Sequence, residues 1–355
     1  MVSNTSPRLE QLTGLRYFAA LVVFVSHLSW DNSPALMKQI FGSGYVGVSF
    51  FFVLSGFVLA YSYEEKIASG KITFTKYLYL RFARLTPLHF ATALPFIGLA
   101  IYADRFDPTT SLLNLSYLQS WIPRSSVYFS FNAPSWSLSN EMFFYLCFFF
   151  MVTMPYEKLL KTGIGLLVLI ISCAIVVTIF FDGYRLYGSS NTIAHWIFYI
   201  YPGFRLLEFV CGMLLFKLWK SGRMINSYFS IIAYIILVLA MYYADSVPEA
   251  FRMSLFFLPV IVFFLFAHLK GDGLVNSFFK TKTMVLLGNA SFAFYLIHQP
   301  LINIIRRLLG GFMLGDFSLF LINLICITLI SVVIYLTYEK WAERKLKQLG
   351  DRIQI

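Results

Sequence analysis

Charge is scarce in this chain: Asp, Glu, Lys and Arg make up 13% of its 355 residues, against 59% that are hydrophobic. A water-soluble fold of this size cannot hide so much apolar surface, so a soluble globular protein is excluded. Cysteine is equally sparse. Cys147, Cys173, Cys211 and Cys326 all fall inside apolar runs and lack metal-ligand spacing, so packing is their expected role and no metal site is expected. Long Ser/Gly/Pro-rich linkers are missing, as is any obvious internal repeat, so one membrane domain over residues 1–355 is expected. Nor is a cleavable leader expected. The first apolar segment contains Arg16 and shows no small-residue cleavage pattern before Trp30, so it is expected to remain as the first span.

What the chain has in abundance is apolar runs, with a mean hydropathy of +0.72. They place about ten transmembrane helices, centred near residues 21, 52, 94, 144, 171, 206, 234, 260, 297 and 328. The expected fold is therefore an all-α, polytopic membrane helix bundle. The net charge of +11 could point to nucleic acid, but its distribution argues otherwise. Alternate loops form two classes. The class that includes both termini holds 19 of the 28 Lys and Arg, and the other holds seven. That asymmetry predicts cytoplasmic termini, with the charge explained by topology and lipid contact and no nucleic-acid partner. The tail from Glu339 to Arg352 reads as a short amphipathic helix on the inner surface.

Against this background a few polar groups stand out. Arg16 and His27 lie eleven positions apart in the first span. At 100° per residue they return to within about 20° of one direction, separated by roughly 16 Å. Counting from the expected span ends lifts His27 roughly 21 Å from the inner side, lowers Glu141 roughly 10 Å from the outer side, and lifts His298 roughly 21 Å. Three ionisable groups from three helices thus share a level in the outer half of the membrane. Each has a bland reading as a helix-to-helix hydrogen bond, but an intramembrane charge is functional by default. His89 and His195 read as interfacial and structural, and His268 as a snorkelling interfacial residue.

Arg81 and Arg84 share a helix face at the inner boundary, where anchoring competes with a forked phosphate site that Arg16 would join. Arg205 and Glu208, three apart in one span, read as a structural ion couple. Ser55 and Gly56, among bulky aromatics, suit either close helix packing or a slot for a thin ligand arm.

Six stretches together resemble acyltransferase family 3, membrane O-acyltransferases that modify cell-surface carbohydrates. They are Leu12-Thr-Gly-Leu-Arg16 through His27, Phe51 to Phe57 (FFVLSGF) and Arg81-Phe-Ala-Arg84, then Ser135 to Tyr145 (SWSLSNEMFFY), Arg205 to Gly212 (RLLEFVCG) and Ser291 to Pro300 (SFAFYLIHQP). They run in family order over about residues 9–345. Thr13 stands where the family often has Asp, which alters a helix cap. No hydrolase-like extra-membrane domain is expected after the tenth span, so the membrane domain is expected to complete the transfer or to pass the acyl group to a separate protein.

The resemblance implies acetyl-CoA, or another short acyl-CoA such as succinyl, as donor. It implies a hydroxyl of a surface or exported polysaccharide, or of a lipid-linked sugar, as acceptor. The setting is the cell inner membrane, with a polysaccharide-assembly complex as a fitting partner. In that frame Arg16, Arg81 and Arg84 would hold the donor's phosphates, and Ser55 and Gly56 would flank its pantetheine arm. His27 would act as general base or as acyl carrier. Glu141 would orient His27, and His298 would donate to the thioester oxygen or position the acceptor. Trp136 and Tyr145 would stack on a sugar ring. The rival class is a secondary transporter or lipid-linked sugar flippase, which calls for paired broken helices that the sequence does not display.

Overall fold

The computed structural model describes residues 9–186, 189–312 and 314–352, and every regular element among them is helical. The one β feature there is an isolated bridge between Arg185 and Thr192. The first half of the bundle is built from α1 (Glu10–Ser26), α2 (Val46–Ala68), α3 (Phe74–Tyr102), α4 (Trp136–Met151) and α5 (Tyr156–Phe180). The second half comprises α6 (Pro202–Lys220), α7 (Phe229–Tyr243), α8 (Leu258–His268), α9 (Lys282–Leu309) and α10 (Asp316–Ile334). The tail helix α11 (Lys340–Arg352) follows α10 through a π-helical turn.

Each of the ten expected centres falls on one of these helices, but their lengths differ. Among the described residues, seven helices are long and apolar enough to cross a bilayer. The number reaches eight if α8 and the helix Gly273–Phe279, bent by 90° against each other, form one broken span. The helices α1 and α4 have 17 and 16 residues, and at 1.5 Å per residue they fall short of a hydrocarbon core about 30 Å thick. Large apolar side chains remain exposed along α5 (Val168, Ile175, Ile179), α7 (Ile232, Ile235, Leu239) and α10 (Ile325, Leu329, Val333). Such a belt is stable only against lipid, and this is a multi-pass membrane protein.

Glycines set the closest helix approaches. A Cβ on Gly56 of α2 would sit 2.0 Å from the Phe209 carbonyl oxygen of α6, and one on Gly212 of α6 would sit 1.9 Å from that of Val53. The two backbones therefore touch through a reciprocal pair of missing side chains. Gly212→Ala is expected to force them apart and to cost about 1–3 kcal/mol. A lowered thermal midpoint of the purified protein checks this, and a wild-type midpoint would mean that α2 and α6 are not in contact.

Contacts join segments of the same expected class. At the basic end Glu64 pairs with Lys217 and with Lys220 at 2.6 Å, joining α2 to α6. There α11 docks along α3: Lys76 lies 2.5 Å from Asp351, and the Tyr79 hydroxyl donates to the Leu346 carbonyl at 2.6 Å. The tail is therefore held against a helix of the bundle. At the other end Asp316 accepts from the backbone N–H of Asn32 and from the Ser33 hydroxyl, tying the α1–α2 loop to α10.

Candidate active site

The side chains singled out by the sequence divide between two adjoining cavities. The first, of about 190 Å³, is lined by Arg16 of α1, Ser55 of α2, Arg81 and Arg84 of α3, Glu141 and Tyr145 of α4, and Ser291 and Tyr295 of α9. The second, of about 300 Å³, lies toward the opposite end and is lined by His27, Trp136, His195, Tyr199, Tyr295 and His298 among others. Val48 and Tyr295 line both, so these two side chains form the partition between the cavities.

The sequence places His27 deep within its helix, and the structure places it just past the helix end. Chain α1 ends at Ser26, and His27 is the C-cap residue, its backbone N–H directed at the Phe24 and Val25 carbonyls. Ending the helix there points the imidazole into the second cavity. His27 Nδ1 lies 2.9 Å from the Val23 carbonyl oxygen. A carbonyl oxygen only accepts, so Nδ1 carries the proton and Nε2 is left with a lone pair.

His298 repeats the arrangement. Its Nδ1 lies 2.5 Å from the Tyr295 carbonyl, and its buried Nε2 has no partner among the described residues. The two rings meet edge to face with centroids 5.0 Å apart. In this tautomer His298 accepts at Nε2, so the expected donation to a thioester oxygen would require an imidazolium, while positioning of an acceptor hydroxyl does not. Pro300 shapes this stretch of α9. It lacks an N–H, which frees the Leu296 carbonyl, and Asn132 fills the gap by donating to that oxygen at 3.0 Å.

Glu141 takes a different place from the one expected. It does not orient His27, whose Nδ1 is already held by Val23. Instead it lies in the first cavity, accepting from the Ser55 hydroxyl at 2.9 Å, with Tyr145 one turn further along α4. The shared level of His27, Glu141 and His298 is thus split by the wall of Val48 and Tyr295. Tyr145 goes with Glu141, away from the histidines, whereas Trp136 lines the histidine cavity. Gly56 lines neither cavity, because its face is closed against the backbone of α6, and only Ser55 of that pair faces the space.

The three arginines do converge on one cavity, but in unequal states. Arg84 Nη1 lies 2.7 Å from Glu339 and 2.7 Å from Glu343, both contributed by the tail. Its charge is therefore already met by carboxylates and is not free for a phosphate. Arg81 donates to the Tyr63 hydroxyl at 2.6 Å, its guanidinium 4.8 Å from the centre of that ring. Arg16, by contrast, makes no hydrogen bond or salt bridge to any described residue, and is the guanidinium the fold leaves open to the cavity.

His195 was read from sequence as interfacial, and the structure puts it in the second cavity. It sits just ahead of a π-helical turn, Trp196–Ile200, which rotates the following face, and nothing in the residue pattern announces such a turn. Ser291 and Tyr295 also escaped notice, although their spacing of seven and three residues before His298 marks one helix face. His268 is buried, with Nδ1 2.7 Å from the Phe264 carbonyl, so it does not snorkel. His89 is buried, with Nε2 3.0 Å from the Asn114 carbonyl.

The bundle thus holds two imidazoles by their Nδ1 protons, beside a cavity lined by guanidinium groups. Residues 9–336 match the acyltransferase domain of acyltransferase family 3, and the chain belongs to that family. It is 31% identical over 325 residues to the acyltransferase MdmB of Streptomyces mycarofaciens, covering 86% of this chain and 81% of that protein. It is 26% identical to the putative peptidoglycan O-acetyltransferase YrhL of Bacillus subtilis (82% and 48%) and 25% identical to the peptidoglycan O-acetyltransferase OatA of Listeria monocytogenes (83% and 50%). The chain spans about half the length of those two relatives. No solved structure matches. The protein is a membrane protein of this acyltransferase family.

Proposed function

We propose that the protein moves a short acyl group, acetyl first among them, from cytoplasmic acyl-CoA to a hydroxyl of a cell-surface or exported carbohydrate, at the inner membrane of the cell. The observation that carries this reading is the pair of carbonyl-held imidazoles, one thin wall away from an unpaired guanidinium. The donor's phosphates would meet Arg16 and Arg81 at the basic end, with Arg84 and the tail carboxylates fixing the rim. The thioester arm would then run past Ser55 and between Val48 and Tyr295 toward His27. The contacts that join lysine-bearing segments of one class support a cytoplasmic mouth.

The acceptor would enter the histidine cavity. Its hydroxyl oxygen attacks the thioester carbon while the proton passes to Nε2 of His27. The tetrahedral intermediate collapses with cleavage of the C–S bond, and the imidazolium returns the proton to the leaving thiolate. The products are the ester and free CoA thiol. The neutral tautomer held by Val23 is the form this base requires.

The test is purified protein in nanodiscs with labelled acetyl-CoA, following thiol release and label transfer. Arg16→Ala is expected to raise the KM for acetyl-CoA roughly 10- to 100-fold, the worth of a hydrogen bond to a charged group, and to affect kcat less. A KM equal to wild type would remove Arg16 from donor binding. If the wild-type protein leaves the thioester intact, the donor assignment fails.

A further inference from the structure

Three side chains that line the second cavity each bury a polar atom with no hydrogen-bond partner among the described residues: His195 at Nδ1, His298 at Nε2 and Tyr45 at its hydroxyl. The Trp136 indole N–H and the Gln299 amide, which line the same space, also make no hydrogen bond to any described residue. Folded proteins rarely leave so many polar groups unmatched in one place unless something else satisfies them. The walls between these groups are aromatic. Trp136 packs against Tyr199 with ring centroids 4.7 Å apart, and Tyr199 lies 5.3 Å from His195.

From this we infer that the second cavity is a built acceptor subsite for a sugar ring, with His195 as the residue that binds a hydroxyl next to the one acylated. The inference rests on the acyl-transfer reading above and gives its acceptor a shape. A space of about 300 Å³ suits a single ring better than an extended chain. Aromatic faces take the C–H face of such a ring, and the scattered unpaired donors and acceptors match several hydroxyls at its edge.

His195 differs from the other two histidines in one decisive way. His27 and His298 have Nδ1 committed to a backbone carbonyl, so each presents a lone pair only. His195 Nδ1 is uncommitted, which leaves its tautomer free to donate or accept as the ligand requires. Its position is nevertheless fixed. The His195 backbone N–H donates to the Thr192 hydroxyl at 3.0 Å, and that hydroxyl donates to Glu249 at 2.6 Å. The ring lies near parallel to Tyr128, at 6.4 Å and 28°.

The experiment uses the full chain in nanodiscs with acetyl-CoA and two acceptor probes, methyl β-D-glucopyranoside and the acyclic polyol sorbitol. Saturable acetyl transfer to the glycoside in preference to sorbitol is expected. His195→Ala is expected to raise the glycoside KM about tenfold while the KM for acetyl-CoA holds, and His195→Gln, which keeps a donor and an acceptor, to recover most of that loss. Equal use of sorbitol and glycoside, or thioester cleavage to water with no transfer to the glycoside, overturns the sugar-ring subsite and leaves the acyltransferase intact. A glycoside KM unchanged in a folded His195→Ala protein overturns the role of His195. No thioester consumption by the wild type defeats the donor reading itself, a result distinct from the others.

Discussion

Replacing His27 with alanine is expected to abolish acyl transfer while leaving a folded, membrane-inserted protein. The side chain caps α1 and faces a cavity, so its loss removes one hydrogen bond to Val23 and leaves the helix contacts of α1 in place. Chemically the loss is severe. Removing a positioned general base costs about 10²- to 10⁴-fold in rate, and more if the same nitrogen also carries the acyl group. His298 does not replace it. Its ring stands 5.0 Å away at a steep angle, and its Nδ1 is tied to a different carbonyl, so its lone pair points from another origin. His298→Ala should accordingly lower turnover by a smaller factor, chiefly through poor alignment of the attacking hydroxyl. Gel filtration and thermal melting establish that the variants are folded, and labelled acetyl-CoA reports their turnover. If His27→Ala turns over at the wild-type rate, His27 has no part in the chemistry.

How much of this was legible in the residues depends on the distance over which each inference reaches. Local periodicity located the ten helix centres, because a run of apolar residues is a property of the segment itself. The lengths of α1 and α4 were not legible to the last turn, since both ends are set by tertiary partners. At the end of α1, the Trp30 indole N–H takes up the Val25 carbonyl. Within the site, the stripe from Arg16 to His27 survived as two contacts with two cavities, because α1 runs past both. Glu141 did not stay with His27. A depth along the membrane normal says nothing of rotation about it, and Glu141 turned toward Ser55. Arg84 looked like a free cation because its neutralising partners, Glu339 and Glu343, lie more than 250 residues away.

The second large effect is expected on stability, at the ion couple behind the histidine cavity. Arg205 and Glu208 are both fully buried, with Nη1 and Oε1 2.9 Å apart. Arg205 also donates to the Met253 carbonyl at 3.1 Å and to the Ser49 hydroxyl at 3.3 Å, and its guanidinium lies 5.0 Å from the Phe52 ring and 5.2 Å from that of Tyr199. It therefore joins α6 to α2 and to the segment before α8, two of whose contacts, Tyr199 and Met253, also line the second cavity. Arg205→Ala strands a carboxylate where water cannot reach it, and Glu208→Ala strands a guanidinium. Each is expected to cost about 3–5 kcal/mol, read as a fall in the thermal midpoint in detergent or nanodiscs. The paired replacement Arg205→Met with Glu208→Leu removes both charges together, so it should cost much less than the two single changes combined. Arg205→Lys should recover only part of the loss, since an ammonium cannot reach Met253, Ser49 and Glu208 with the fixed fork of a guanidinium. Single variants as stable as wild type would mean that the couple carries no structural role. A double variant of wild-type stability that nonetheless bound acceptor poorly would assign Arg205 the further task of holding the Tyr199 wall in place.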